Sequence, residues 1–99
     1  MAVINVSFQV LPQVPGGNSY AVVDKAIEVV QQSGVKYEVG PMETTMEGEL
    51  DELLDIVKNA QQACIAAGAE RVMTIVKIDY APQGVTMEEK VGKYRNAPQ

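Results

Sequence analysis

Ninety-nine residues, 46% apolar and 21% charged, suffice for one domain around one core, and a formal charge of −5 with scattered basic residues leaves no footprint for a nucleic-acid backbone or an anionic membrane. The absence of histidine removes zinc sites of the usual kind and histidine-based triads, and the single cysteine, Cys64, has no internal disulfide partner. So small a domain buries a modest share of its surface, which makes association with further copies of itself a natural source of stability.

The chain opens directly on an alternating strand, Val3 to Leu11, with Ile4, Val6, Phe8 and Val10 on one face and Asn5, Ser7 and Gln9 on the other. It shows neither a basic, apolar leader nor an apolar run of about 20 residues, so the expected location is cytoplasmic. The stretch LPQVPGGNS, with two prolines and paired glycines, reads as an irregular loop in which Asn18 or Ser19 caps a following helix. That helix, Tyr20 to Ser33, carries Val22, Val23, Ala26, Ile27 and Val30 on one stripe and ends at Gly34. A second strand, Val35 to Val39, and a third, Met42 to Glu47, read as a hairpin broken by Gly40 and Pro41. A longer helix then runs from Gly48 to Ala67, with Glu49, Asp51 and Glu52 at its positive end and a stripe of Leu50, Leu53, Leu54, Val57 and Cys64. After Gly68 a fourth strand, Arg71 to Asp79, is largely apolar on both sides, and Thr86 with Glu89 supplies a capping box for a short last helix, beyond which the terminal residues are expected to fray.

Strand, helix, strand, strand, helix, strand is the order of an α+β, ferredoxin-like βαββαβ sandwich. It predicts a single domain over 1–99, a four-stranded antiparallel sheet with two helices on one face, and a short C-terminal helix in addition. The opposite sheet face then carries Asn5, Ser7, Gln9, Met73, Ile75 and Lys77, too apolar on the fourth strand to stay in water. It suits an interface with another subunit, or a pocket in which apolar walls supply affinity and a few polar groups fix orientation.

Other candidate groups are weaker. Thr44, Thr45 and Glu47 lie on an acidic strand that also reads as a solvated edge, and on an ideal strand Thr44 and Met46 point away from Thr45 and Glu47. Glu43 and Glu47 are spaced too far apart along the strand for paired acid/base work. Gly16 and Gly17 precede a helix but lack the spacing and lysine of a phosphate loop. Cys64 sits on an apolar stripe with no histidine to activate it, and the methionines read as core or interface filler.

The segments SFQVLP, SGVKYEVGPMETTMEGELDELLDIV, AERVMTIVKID and TMEEKV, in this order and covering almost the whole chain, resemble the small thiamine-binding proteins. The most specific piece runs from Tyr37 through Pro41, Thr44, Glu47 and Gly48 into an acidic helix start. The resemblance implies a ferredoxin-like fold, dimers that pair into tetramers through their sheets, and binding of thiamine or its hydroxymethylpyrimidine portion without turnover or cofactor. Carried over to this sequence, it implies a site including Ser7, Gln9, Thr44, Thr45 and Glu47. Glu47 would meet the aminopyrimidine or the cationic thiazolium through a charge-assisted contact. Where relatives commonly carry a small residue after Pro41-Met42, this chain has Glu43, a difference that bears on ligand choice. Two alternatives stand beside this reading: an oligomer whose open face serves subunit contact alone, and an enzyme such as a small phosphatase. The latter would need an anion-holding loop with an arginine, and Arg71 and Arg95 occur in no such loop.

Overall fold

The computed structural model describes residues 2–95. Its elements are β1 (Ile4–Gln13), α1 (Ser19–Gln32), β2 (Lys36–Val39), β3 (Thr44–Gly48), α2 (Leu50–Ala66), β4 (Arg71–Asp79) and α3 (Met87–Arg95). The strands form one sheet in the order β2-β3-β1-β4, antiparallel throughout, which is the ferredoxin-like arrangement read from the sequence. The expected fraying of the chain end falls on 96–99, outside the described residues.

The two-residue period of β1 sorts the molecule into faces. Ile4, Val6, Phe8 and Val10 turn toward α1 and α2 and are buried, together with Val22, Ala26 and Val30 of α1 and Leu53, Ile56, Val57, Ala60 and Cys64 of α2. Asn18 caps α1, its side chain accepting a hydrogen bond from the Ala21 N–H at 3.3 Å. Gly34 and Gly68 follow α1 and α2 at φ 85° and 111°, a conformation an L side chain resists, so each helix stops where the next strand must begin. Asp51 and Glu52 occupy the first turn of α2 and offset its unpaired N–H groups electrostatically, since Glu49 makes no side-chain cap bond.

The structure departs from the sequence reading at the ends of several elements and on one helix face; Gly48, for example, ends β3 and α2 starts at Leu50. β1 continues through Pro12 to Gln13, because its pairing with β3 ends at Phe8 opposite Thr44 while β4 pairs on to Gln13. Beyond Phe8 the strand needs donors on one side only, and a proline is tolerated there. β3 starts at Thr44 rather than Met42, since Gly40 N–H donates to the Glu43 carbonyl at 2.9 Å and leaves Met42 in the turn, 75% exposed. On α2, Leu54 lies off the buried stripe, which runs instead through Leu53, Ile56, Val57, Ala60 and Cys64 at helical spacing.

The capping box at the last helix forms as expected: Thr86 N–H donates to Glu89 Oε1 at 2.8 Å, and Glu89 N–H donates to Thr86 Oγ1 at 3.2 Å. The location of α3 was not foreseen. It lies against the sheet face opposite α1 and α2, over Asn5, Glu47 and Asp79, and buries Met87 there.

Candidate functional site

Register determines what shares the open face. Asn5 stands opposite Glu47 and Asp79, Ser7 opposite Thr45 and Lys77, Gln9 opposite Ile75, and Leu11 opposite Met73. Paired residues project to the same side of a sheet, so these side chains form rows across one surface. Thr44 and Met46 pair with Phe8 and Val6 and turn toward the helices, where both are buried. The alternation noted in the sequence thus separates Thr44 from Thr45 and Glu47.

At one end of the open face a polar network attaches α3. Glu47 Oε1 accepts the Met87 N–H at 2.6 Å and an Asn5 N–H at 3.4 Å, while Lys36 stands 3.8 Å from its other oxygen. Lys90 donates to Asn5 Oδ1 at 2.8 Å and pairs with Asp79 at 2.6 Å, and Arg95 reaches Glu38 at 3.2 Å. Under the helix remains a pocket of about 320 Å³ whose walls include Asn5, Ser7, Thr45, Lys77 and Met87.

In the middle of the face Ser7 Oγ and Thr45 Oγ1 share a hydrogen bond of 2.7 Å. Glu43, just before β3, crosses above Ser7 to meet Lys77 of β4 at 2.8 Å. The Lys77 ammonium, then the Ser7 hydroxyl, hold the Glu43 carboxyl below its usual range, outweighing a small desolvation effect. Burial alone raises the Cys64 thiol, and its Sγ lies 4.0 Å from the Val22 carbonyl. That environment disfavours the thiolate a nucleophile would need.

The other end of the face is bare. Leu11, Met73 and Ile75 are exposed there by 41%, 55% and 48%. Beside them, where β1 outruns β3, the sheet has a gap bounded by β1 from Phe8 to Gln13, the start of α1 at Ser19 and Tyr20, and the turn from Gly40 to Glu43. This cleft measures about 680 Å³ and reaches Thr44 on one side and Arg71 on another. The structure therefore divides the residues singled out in the sequence: Gln9 and Thr44 line the large cleft, Ser7 and Thr45 the smaller pocket, and Glu47 lies beside the latter with its carboxylate engaged by α3. Glu43, which the sequence reading left as half of an unsuitable acid pair, links the two through Ser7. Its odd-numbered position next to Thr45 was the available signal. Among the described residues no group of three or more acidic or cysteine side chains could hold a metal ion, and no helix is long and apolar enough to cross a membrane.

Comparison with known proteins adds four findings. Residues 6–95 match the profile of a family described as thiamine-binding protein. A UPF0045 protein of Clostridium perfringens is 62% identical over 95 residues, covering 96% of this chain and 100% of that one. Among solved structures, a Bacillus cereus protein described as a DUF77 domain of unknown function superposes with a TM-score of 0.93 at 64% identity over 96% of this chain and 92% of its own. A Thermotoga maritima protein, named as a candidate in thiamine biosynthesis/salvage, superposes with a TM-score of 0.86 at 44% identity over 94% and 99%.

Proposed function

This chain belongs to the thiamine-binding protein family, and from that membership we propose that it binds thiamine or its hydroxymethylpyrimidine portion without turnover, as a carrier or sensor. The observation that carries the reading is the cleft of about 680 Å³ in which Gln9, Glu43 and Thr44 stand among Val39, Met42 and Met73. Its volume falls in the range of small-molecule sites, and it combines apolar walls with a few polar groups as such sites do. Tyr20 offers a flat aromatic surface and Met42 a polarizable one at the rim. Glu43 supplies the negative charge that a thiazolium ring would meet, in competition with Lys77.

In this reading Ser7 and Thr45 extend the polar track from the cleft toward the smaller pocket, and Glu47 acts by anchoring α3 beside it. The bare strip of Leu11, Met73 and Ile75 borders the cleft and is the surface through which copies of the chain would pair, giving a homo-oligomer that we take to be a tetramer built as a dimer of dimers. A cytoplasmic location, with neither nucleic acid nor membrane as partner, completes the proposal.

Isothermal titration calorimetry against thiamine and hydroxymethylpyrimidine, with the oligomeric mass determined on the same sample, tests it. Saturable binding at micromolar or tighter affinity is the expected result. Heat with neither ligand, from an intact oligomer, would overturn it and leave the open face a subunit contact alone.

A further inference from the structure

The wall of the large cleft contains main chain as well as side chains, and strand geometry says which atoms those are. Successive residues of a strand turn their N–H and C=O groups to alternate edges, both groups of one residue pointing the same way. On β1 the Gln13 carbonyl accepts from Glu70 N–H at 2.9 Å, and the Val3 carbonyl, just before the strand, accepts from Val85 N–H at 2.8 Å. Glu70 directly precedes β4, and on the other side Gly40 N–H bonding the Glu43 carbonyl turns odd-numbered residues of β3 toward β2 and even-numbered ones toward β1, so odd-numbered residues of β1 face β4 and even-numbered ones face β3. Ile4, Val6 and Phe8 accordingly pair with Gly48, Met46 and Thr44. Past Phe8 there is no β3. The N–H and C=O of Val10, and the C=O of Pro12, therefore face the cleft that both residues line.

This edge is unsuited to receiving another strand. Pro12 lacks the next donor on that side, and the turn closed by the Gly40–Glu43 hydrogen bond bounds the gap. Beside the lone Pro12 carbonyl, what remains is a donor and an acceptor side by side on Val10, a residue only 8% exposed, in a cleft of small-molecule size. Resting on the ligand reading above, we infer that Val10 recognises the ligand through its main chain: its N–H donates to a ring nitrogen and its C=O accepts from the adjacent exocyclic amino group of an aminopyrimidine. The specificity resides in the order of donor and acceptor around the ring. The 4-oxo counterpart presents them reversed, with a donor at the ring nitrogen and an acceptor outside it, and would have to turn over to pair, carrying its other substituents to the wrong side.

The test is a titration of the 15N-labelled full chain with hydroxymethylpyrimidine and with its 4-oxo analogue, followed through backbone amide resonances. The expected result is a saturable downfield shift of the Val10 amide with the amino compound and an affinity at least about tenfold weaker for the oxo compound. Val10→Pro, which removes the N–H facing the cleft and repeats at position 10 what Pro12 already does two residues on, should weaken the amino compound by a similar factor while amide resonances away from β1 keep their parent positions, the check that the core has accepted the change at this buried residue. If hydroxymethylpyrimidine binds while the Val10 amide stays in place, or if both compounds bind equally, the main-chain assignment is overturned and the ligand reading survives. If no resonance moves with thiamine or either pyrimidine, both fall together.

Discussion

The two ends of the open sheet face are made by the same strands and finished in different ways. At the Asn5 end, α3 covers the sheet through charged and polar contacts from Glu47, Lys90 and Arg95, with Met87 as its apolar anchor. At the Leu11 end nothing within the described chain covers Met73 and Ile75, and the departure of β3 opens the cleft beside them. One end is completed from within by polar attachment, and the other is left apolar and open. If the open end is the binding surface proposed above, folding and binding are kept at opposite ends of one face.

The sharpest way to break this contrast is to charge the bare end. Ile75→Glu sets a carboxylate in the middle of the strip, where a partner copy would have to bury it unpaired, at a cost of several kcal/mol. The expected outcome is a fall in mass by light scattering with the circular dichroism spectrum retained, since Ile75 is already half exposed in the single chain. An unchanged mass would show that the strip is not the subunit contact.

At the covered end the largest effect belongs to Met87, the first residue of α3, 3% exposed against the sheet. Met87→Ala should lower stability by about 2 kcal/mol, the low end for a buried methionine because a short surface helix can settle into the space. Urea denaturation measures this, and oligomeric mass should not change. A loss of mass here would mean that the two ends are coupled rather than independent.

How far the sequence announced this division depends on the kind of interaction at each end. The sheet, its register-bearing alternation and both sheet-covering helices were legible, because burial of Ile4, Val6 and Phe8 imposes a two-residue period and α1 and α2 a helical one. The capping box Thr86–Glu89 was legible for the same local reason. The docking of α3 was not, since it depends on contacts such as Glu47 to Met87 and Asn5 to Lys90, between residues 40 and 85 positions apart, that leave no periodic trace. The candidate site suffered likewise. The alternation put Ser7 and Gln9 on the open face and set Thr45 and Glu47 apart from Thr44, but it took the register to bring Thr45 and Glu47 beside Ser7, and the gap beside Val10 arises from β1 outrunning β3, an extension that Pro12 disguised as a loop.

Glu47→Gln sharpens the comparison from the covered side. Its carboxylate accepts the first N–H of α3 and stands near Lys36, so replacing it by a neutral amide should cost about 1 kcal/mol, as loss of a charged helix-capping group does. If Glu47 serves α3, thiamine affinity by calorimetry stays within about twofold of the parent. If it touches the ligand through a charge-assisted hydrogen bond, affinity falls by about tenfold or more.

The smallest expected effect lies at Glu43, where the two ends meet. Lys77 and Ser7 lower its carboxyl below the ordinary value, so the folded state favours the ionised form more than the unfolded chain does. The sign follows: the contribution to stability is fully present above the unfolded carboxylate range, about pH 4 to 5, and is lost as pH falls through the depressed folded value. The carboxyl sets the window. Because the pair is partly open to solvent, the effect should be a few tenths of a kcal/mol, typical of surface ion pairs. Urea midpoints of the parent and Glu43→Gln should differ at pH 7 and converge toward pH 3. A difference that persists unchanged into acid would mean that Glu43 matters through packing of the turn rather than through its charge. It would also count against the proposal that this carboxylate meets a thiazolium ring in competition with Lys77, because a group whose ionisation leaves no mark on folding is not engaged by Lys77.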